Sequence, residues 1–210
     1  MRLARLTLCT LVAALLSSPV LAESGGNNEC PVGLVKGLTL NDEFGPGTQE
    51  LTRCLKKRNQ VKMVVQIFQR CANGATTCAY PYALGNISNI LDDYEITHGM
   101  TPGKYYEVVA VLHGSGGLMA LKDTSYNGAG QLVSSRNPFE GQVKALMERG
   151  VKFYFCQNTT RGYIASGTLP SYQSSGISAT AQLIDGMRYT TAGLTSIADF
   201  EALGYSYIQP

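Results

Sequence analysis

The chain has 210 residues, with 17 Lys and Arg against 15 Asp and Glu, a formal net charge of +2 and 44% hydrophobic residues. That near-neutral balance, with no basic stripe and no interleaving of aromatic and basic residues, argues against nucleic acid as a partner. The length suits one domain with a sizeable core better than two.

The first residues read as a signal peptide. Arg2 and Arg5 precede an almost wholly apolar run from Leu6 to Leu16, Pro19 breaks it, and Val20–Leu21–Ala22 supplies the small residues that a signal peptidase reads. The run is shorter than the roughly 20 residues a membrane-spanning helix needs, which disfavours a retained anchor. Residues 1–22 are thus expected to be removed, leaving a periplasmic or secreted protein with no membrane association after cleavage.

The segment 23–60 is a cysteine-containing extension. Past the signal segment the chain carries Cys30, Cys54, Cys71, Cys78 and Cys156, an odd count. In an oxidising compartment an odd count leaves at least one thiol unpaired within the chain. Cys30, Cys54, Cys71 and Cys78 are the disulfide candidates, and four cysteines allow three pairings. Cys71 and Cys78 flank the small-residue loop 72–77, which suits a tight bridge, and Cys30 and Cys54 flank Gly45–Pro46–Gly47. No C-x-x-C pair and no neighbouring His supports a metal site. Cys156 is the expected odd thiol.

From residue 61 onward strands and helices alternate. Val61 to Phe68 is a β-branched, apolar run that predicts a buried strand. Pro81 to about His98 predicts a helix with Leu84, Ile87, Leu91 and Tyr94 on one face, Asp92, Asp93 and Glu95 elsewhere, and Gly99 as its stop. Tyr105 to Leu112 predicts a second buried strand ending at His113, followed by Gly114–Ser115–Gly116–Gly117 and a polar loop from Lys122 to Ser135. Asn137–Pro138–Phe139 opens a helix that Gly150 closes. Val151 to Phe155 predicts a third strand running into Cys156, and a helix follows over Asn158 to Ala165. A strand fits on either side of Asp185–Gly186 within the segment 177–189. Leu194 to Leu203 predicts a helix, and Tyr205 to Ile208 a last strand.

This rhythm predicts an α/β fold, a mostly parallel sheet covered by helices on both faces. Ligands of such sheets bind outside the carboxyl ends of the strands. His113 and Cys156 both fall at such ends, so the topology places them on one rim. A helix start directly after Cys156 offers unpaired N–H groups and partial positive charge, which favour thiolate in a thiol that is also expected to be exposed. The competing reading of Cys156 is an inert buried cysteine.

The same residues carry a family resemblance. The strand end His113–Gly114, the strand Gly150–Val151–Lys152–Phe153 closing on Cys156 with Asn158–Thr159 beyond it, and the terminal segment 204–210 together resemble the DsrE/DsrF-like family of sulfur-relay proteins over residues 61–210. The resemblance implies a single-domain α/β subunit assembling as a homotrimer or homohexamer, and a persulfide-carrying cysteine, a role that Cys156 alone inherits by position. It implies a sulfur donor and an acceptor, each a protein thiol or a small sulfur compound, and no cofactor. The chain departs from the relay members in its export signal and in residues 23–60, so donor and acceptor identities do not carry over.

In the corresponding mechanism the Cys156 thiolate takes a sulfane sulfur and passes it on. His113 supports the thiolate or relays a proton. Backbone groups at Gly114, Ser115 and Gly116 or at Asn158 and Thr159 stabilise a small sulfur anion. The competing reading of His113 is a structural strand-end residue that hydrogen-bonds its own turn, and that of the glycines is tight backbone turning. Three other classes compete. A nonenzymatic oligomeric binding or assembly module would make the thiol incidental. A Cys-His hydrolase lacks a G-x-S-x-G elbow and an orienting carboxylate. A nucleotide-binding domain lacks both G-x-G-x-x-G and the P-loop lysine.

Overall fold

Three apolar runs become the middle of a parallel sheet. The computed structural model describes residues 60–75, 77–96 and 99–210, together with the backbone of Thr97 and of two short strands, β1 (Val32–Leu34) and β2 (Glu50–Thr52). The signal segment 1–22, Cys30 and Cys54 lie outside the described residues. β1 and β2 pair antiparallel. In chain order there follow β3 (Val61–Ile67), α1 (Tyr82–Asp92), β4 (Tyr106–Leu112), β5 (Ser125–Tyr126), β6 (Leu132–Val133), α2 (Glu140–Glu148), β7 (Lys152–Cys156), α3 (Gln157–Ala165), α4 (Tyr172–Ser175), β8 (Arg188–Thr190), α5 (Gly193–Ala202) and β9 (Ser206–Ile208). The main sheet has the order β8-β7-β4-β3-β9, and every pairing in it is parallel.

Alternation along these strands divides two cores. Met63, Val65 and Ile67 of β3, Val108, Ala110 and Leu112 of β4, and Phe153 and Phe155 of β7 face Leu84, Ile87 and Leu91 of α1 and Val143 and Leu146 of α2. The intervening Val64, Val109 and Val111 face Ile197, with Phe200, Tyr154 and Tyr205 packed around them. Strands buried on both faces are near-continuous apolar runs for this reason.

The helices sit close to where the periodicity puts them. α1 is shorter than expected, because a π-helical turn takes over at Asp93–Thr97. Asp92 and Glu95, expected on outward faces, are drawn together by Arg149, whose guanidinium lies 2.8 Å from each carboxylate. Two expectations are corrected. The loop 122–135 contains an antiparallel hairpin, β5 with β6. Of the two strand placements around Asp185–Gly186 only the later forms; the earlier half is a 3-10 turn, Thr180–Gln182, tied by a single bridge between Leu121 and Leu183. Among the described residues no helix is long and apolar enough to cross a membrane.

Candidate functional site

β4 and β7 are neighbours, with Leu112 opposite Phe155. One residue further along each strand stand His113 and Cys156. His113 follows Val109 and Val111 at alternate positions, and Cys156 follows Lys152 and Tyr154, so both belong to the sheet face that α5 covers. The carboxyl-end rim thus brings the two residues side by side.

Cys156 is at once the last residue of β7 and the N-cap of α3, with extended φ and ψ of −72° and 123°. Its Sγ accepts a hydrogen bond from the Gly193 N–H at 3.2 Å. Gly193 is the first residue of α5. Two helix N-termini therefore converge on one sulfur, and each supplies N–H groups that its own helix leaves unpaired. Burial alone pushes the thiol up, but the N–H and hydroxyl of Thr159, the N–H of Gly193 and the N–H of Asn158 outweigh it, so the thiol ionises below its ordinary value. The expected exposure is corrected: Cys156 is only 4% exposed, because the α5 terminus closes over it. It is the free cysteine among the described residues, and Cys71 is bridged to Cys78, with Cα atoms 5.8 Å apart.

Gly193 joins the two strand ends. A Cβ there would lie 3.1 Å from both Cβ and Cγ of His113, so a side chain would force the ring or the α5 terminus to give by a few tenths of an ångström. His113 itself is half-buried, and burial lowers its tendency to protonate. Tyr207 donates to Oε1 of Gln66, which turns the Gln66 amide nitrogen to His113 Nε2 at 2.7 Å. The ring then accepts at Nε2 and carries its proton on Nδ1, a neutral imidazole rather than an imidazolium. Phe68 stacks on the ring, with centroids 6.3 Å apart.

The glycine loop is a 3-10 turn, Gly114–Ala120, whose donors are largely committed within the fold. The Gly116 N–H donates to Phe68 O at 3.1 Å, the Ser115 hydroxyl reaches the same carbonyl at 3.4 Å, and the Gly114 N–H donates to Thr159 Oγ1 at 3.2 Å. A Cβ on Gly116 would lie 2.3 Å from the Ile67 carbonyl oxygen. The glycines serve close backbone packing, and Gly114 has φ of 55°. Thr159 links this loop to the thiol, since its hydroxyl accepts from Gly114 and donates to Cys156 Sγ. Asn158 is exposed; its Oδ1 accepts from Arg161 at 2.7 Å, and its N–H serves the sulfur.

Sequence reasoning missed Gly193 and Gln66. Ala192–Gly193 before an apolar helix was the available signal for the first; nothing local marks Gln66, which alternation merely puts on the α5 face of β3. Among the described residues no cluster of three or more His, Cys, Asp or Glu side chains could hold a metal ion.

The model of the DsrE/DsrF-like family matches residues 78–210, more than half of the chain. A solved structure of a protein of unknown function from Methanobacterium thermoautotrophicum is similar at 19% identity and a TM-score of 0.46, over 72% of this chain and 99% of that one. No curated protein matches the chain. The chain belongs to the DsrE/DsrF-like family, and a sulfur-relay-related role is supported at the level of that family.

Proposed function

We propose that this protein is an exported sulfur-trafficking protein that carries sulfane sulfur as a persulfide on Cys156. The observation that carries the reading is the convergence of two helix N-termini on Cys156 Sγ, with the Gly193 N–H at 3.2 Å and Asn158 and Thr159 donating from the other side. The donors stabilise the thiolate that must attack and the thiolate that must leave when sulfur moves on. His113 is a neutral positioning residue in this scheme: its ring packs on Gly193 and so fixes the α5 donor. The subunit acts within a homotrimer or homohexamer, in the periplasm or outside the cell.

The test is intact-mass analysis after exposure to polysulfide. The proposal expects one sulfur added at Cys156 and none in Cys156→Ser; equal loading of the variant removes it. A second reading, a binding or assembly module with an incidental thiol, is favoured by the 4% exposure of Cys156. The rate of thiol labelling separates the two. A carrier labels faster at neutral pH than an ordinary buried cysteine, whereas an incidental thiol labels only as the protein unfolds.

A further inference from the structure

We propose that Cys30 and Cys54 form a second disulfide, which closes the N-terminal extension into a covalent ring and leaves Cys156 as the single thiol beyond the signal segment. The register of the short ribbon carries the inference. β1 and β2 run antiparallel, with Val32 opposite Thr52, Gly33 opposite Leu51 and Leu34 opposite Glu50. In such a pair each step back along one strand is matched by a step forward along the other. Two steps back from Val32 is Cys30, and two steps forward from Thr52 is Cys54. The same register, continued, therefore sets the two cysteine positions directly opposite each other. A shift of either strand by one residue would not.

Opposed residues of an antiparallel pair have Cα atoms about 4.5 Å or about 5.5 Å apart, according to whether the pair is hydrogen-bonded. Both values fall inside the roughly 4.4–6.8 Å that a disulfide spans. An even step also keeps both positions on the face of the ribbon that holds Val32 and Thr52. Pro31, between Cys30 and Val32, has no N–H to give, so the backbone ladder loses a donor at that step. A covalent link at the next position fastens the ribbon where hydrogen bonding gives out.

The other cysteines are committed elsewhere. Cys71 is bridged to Cys78, and Cys156 is closed over by α5 with its Sγ held by the Gly193 N–H. A lone two-stranded ribbon is marginal in water, and this one has three residue pairs joined by the long connection 35–49. Closing a ring on the order of 25 residues favours the paired form over the open one by about 300-fold in the loop-entropy model. The ring precedes residues 78–210, to which the family model matches, so it belongs to what this chain adds to the shared fold.

The bond forms by two exchanges with a disulfide oxidant of the exporting compartment. One cysteine thiolate attacks the oxidant's disulfide, forming a mixed disulfide and expelling one oxidant sulfur as thiolate. The second cysteine thiolate attacks the chain's own sulfur in that mixed disulfide, and the other oxidant sulfur leaves. Two electrons pass to the oxidant, which is released as a dithiol with the two protons the cysteines gave up. On the carrier reading the link has a consequence for stored sulfur: no second thiol of the chain is left to attack a persulfide on Cys156 and expel its outer sulfur as hydrosulfide.

The experiment oxidises the reduced, purified full chain with glutathione disulfide in the absence of denaturant, alkylates the remaining thiols under denaturing conditions, and maps tryptic peptides by mass without reductant. Lys36 and Arg53 put Cys30 and Cys54 in separate peptides. Those two peptides are expected joined to each other in a protein of monomer mass, with the alkyl label on Cys156, and Cys30→Ser is expected to expose a labelled Cys54. Cys54 joined to Cys71, Cys78 or Cys156, a link between two chains, or label on both Cys30 and Cys54 would overturn the inference. Since the oxidant is supplied, none of these outcomes depends on where the cell keeps the protein, and polysulfide loading of Cys156 tests the carrier reading separately.

Discussion

Replacing Gly193 by Ala addresses the sulfur site where its parts are most tightly interlocked. The new Cβ would stand 3.1 Å from Cβ and Cγ of His113 and 3.2 Å from Cδ2, so the ring or the α5 terminus must give by a few tenths of an ångström. At 3.2 Å the N–H to Sγ bond is short for a sulfur acceptor, and a retreat of that size lengthens and weakens it. A hydrogen bond to a charged group contributes about 1.5–3 kcal/mol, and about 1.4 kcal/mol is a factor of ten. Weakening it should shift the Cys156 equilibrium from thiolate toward thiol, by up to about tenfold where the bond is lost. The assay is thiolate absorbance followed against pH, with alkylation rate as a second readout, on native protein. Fold integrity is monitored by the melting temperature. An unchanged titration midpoint in a folded Gly193→Ala protein would refute the claim that α5 stabilises the thiolate.

Other predictions concern the frame around that site. Gly116→Ala sets a Cβ 2.3 Å from the Ile67 carbonyl oxygen, where the obstacle is backbone, so stability in urea should fall by about 3 kcal/mol or more; a neutral outcome would return the loop to consideration as an open anion site. Paired Cys71→Ser and Cys78→Ser substitutions open a loop of sequence separation 7, worth about 2.5 kcal/mol in the loop-entropy model. The melting temperature should drop by about 5–10 °C in the absence of reductant. Because burial lowers the affinity of His113 for a proton, the unfolded chain binds that proton first as pH falls through its ordinary 6.5. The His113 contribution to stability is therefore complete above that pH and shrinks below it. Urea midpoints at about pH 7.5 and 5.5 should differ less in His113→Asn than in the parent protein.

The parts of this architecture that could be read in the chain are those whose cause is local. Val61–Ile67, Tyr106–Leu112 and Lys152–Cys156 are largely apolar because both faces of each strand are covered, and that condition writes itself as a near-continuous run. The helix after β7 was legible from the polar Gln157–Asn158–Thr159 that follows a buried strand. The rim position of His113 and Cys156 followed from topology alone, without any contact being known. The hairpin of β5 and β6 was not legible, because its strands are two residues long and their pattern is inverted: Ser125 is buried while Leu132 is 60% exposed. The segment before Asp185 has strand-like composition, yet its backbone is spent on a 3-10 turn and a single bridge to Leu121. The closure of the thiol was beyond sequence reasoning, since Gly193 lies 37 residues from Cys156 and meets it only because β8 returns the chain beside β7.

The central claim is that Cys156 carries sulfane sulfur, and the most direct measurement is the intact mass of the protein and of Cys156→Ser after brief exposure to polysulfide, each with and without alkylation. The account predicts one alkylatable added sulfur, lost on treatment with reductant, on the parent protein and none on the variant. An unmodified parent protein, or identical masses added to both, would contradict it.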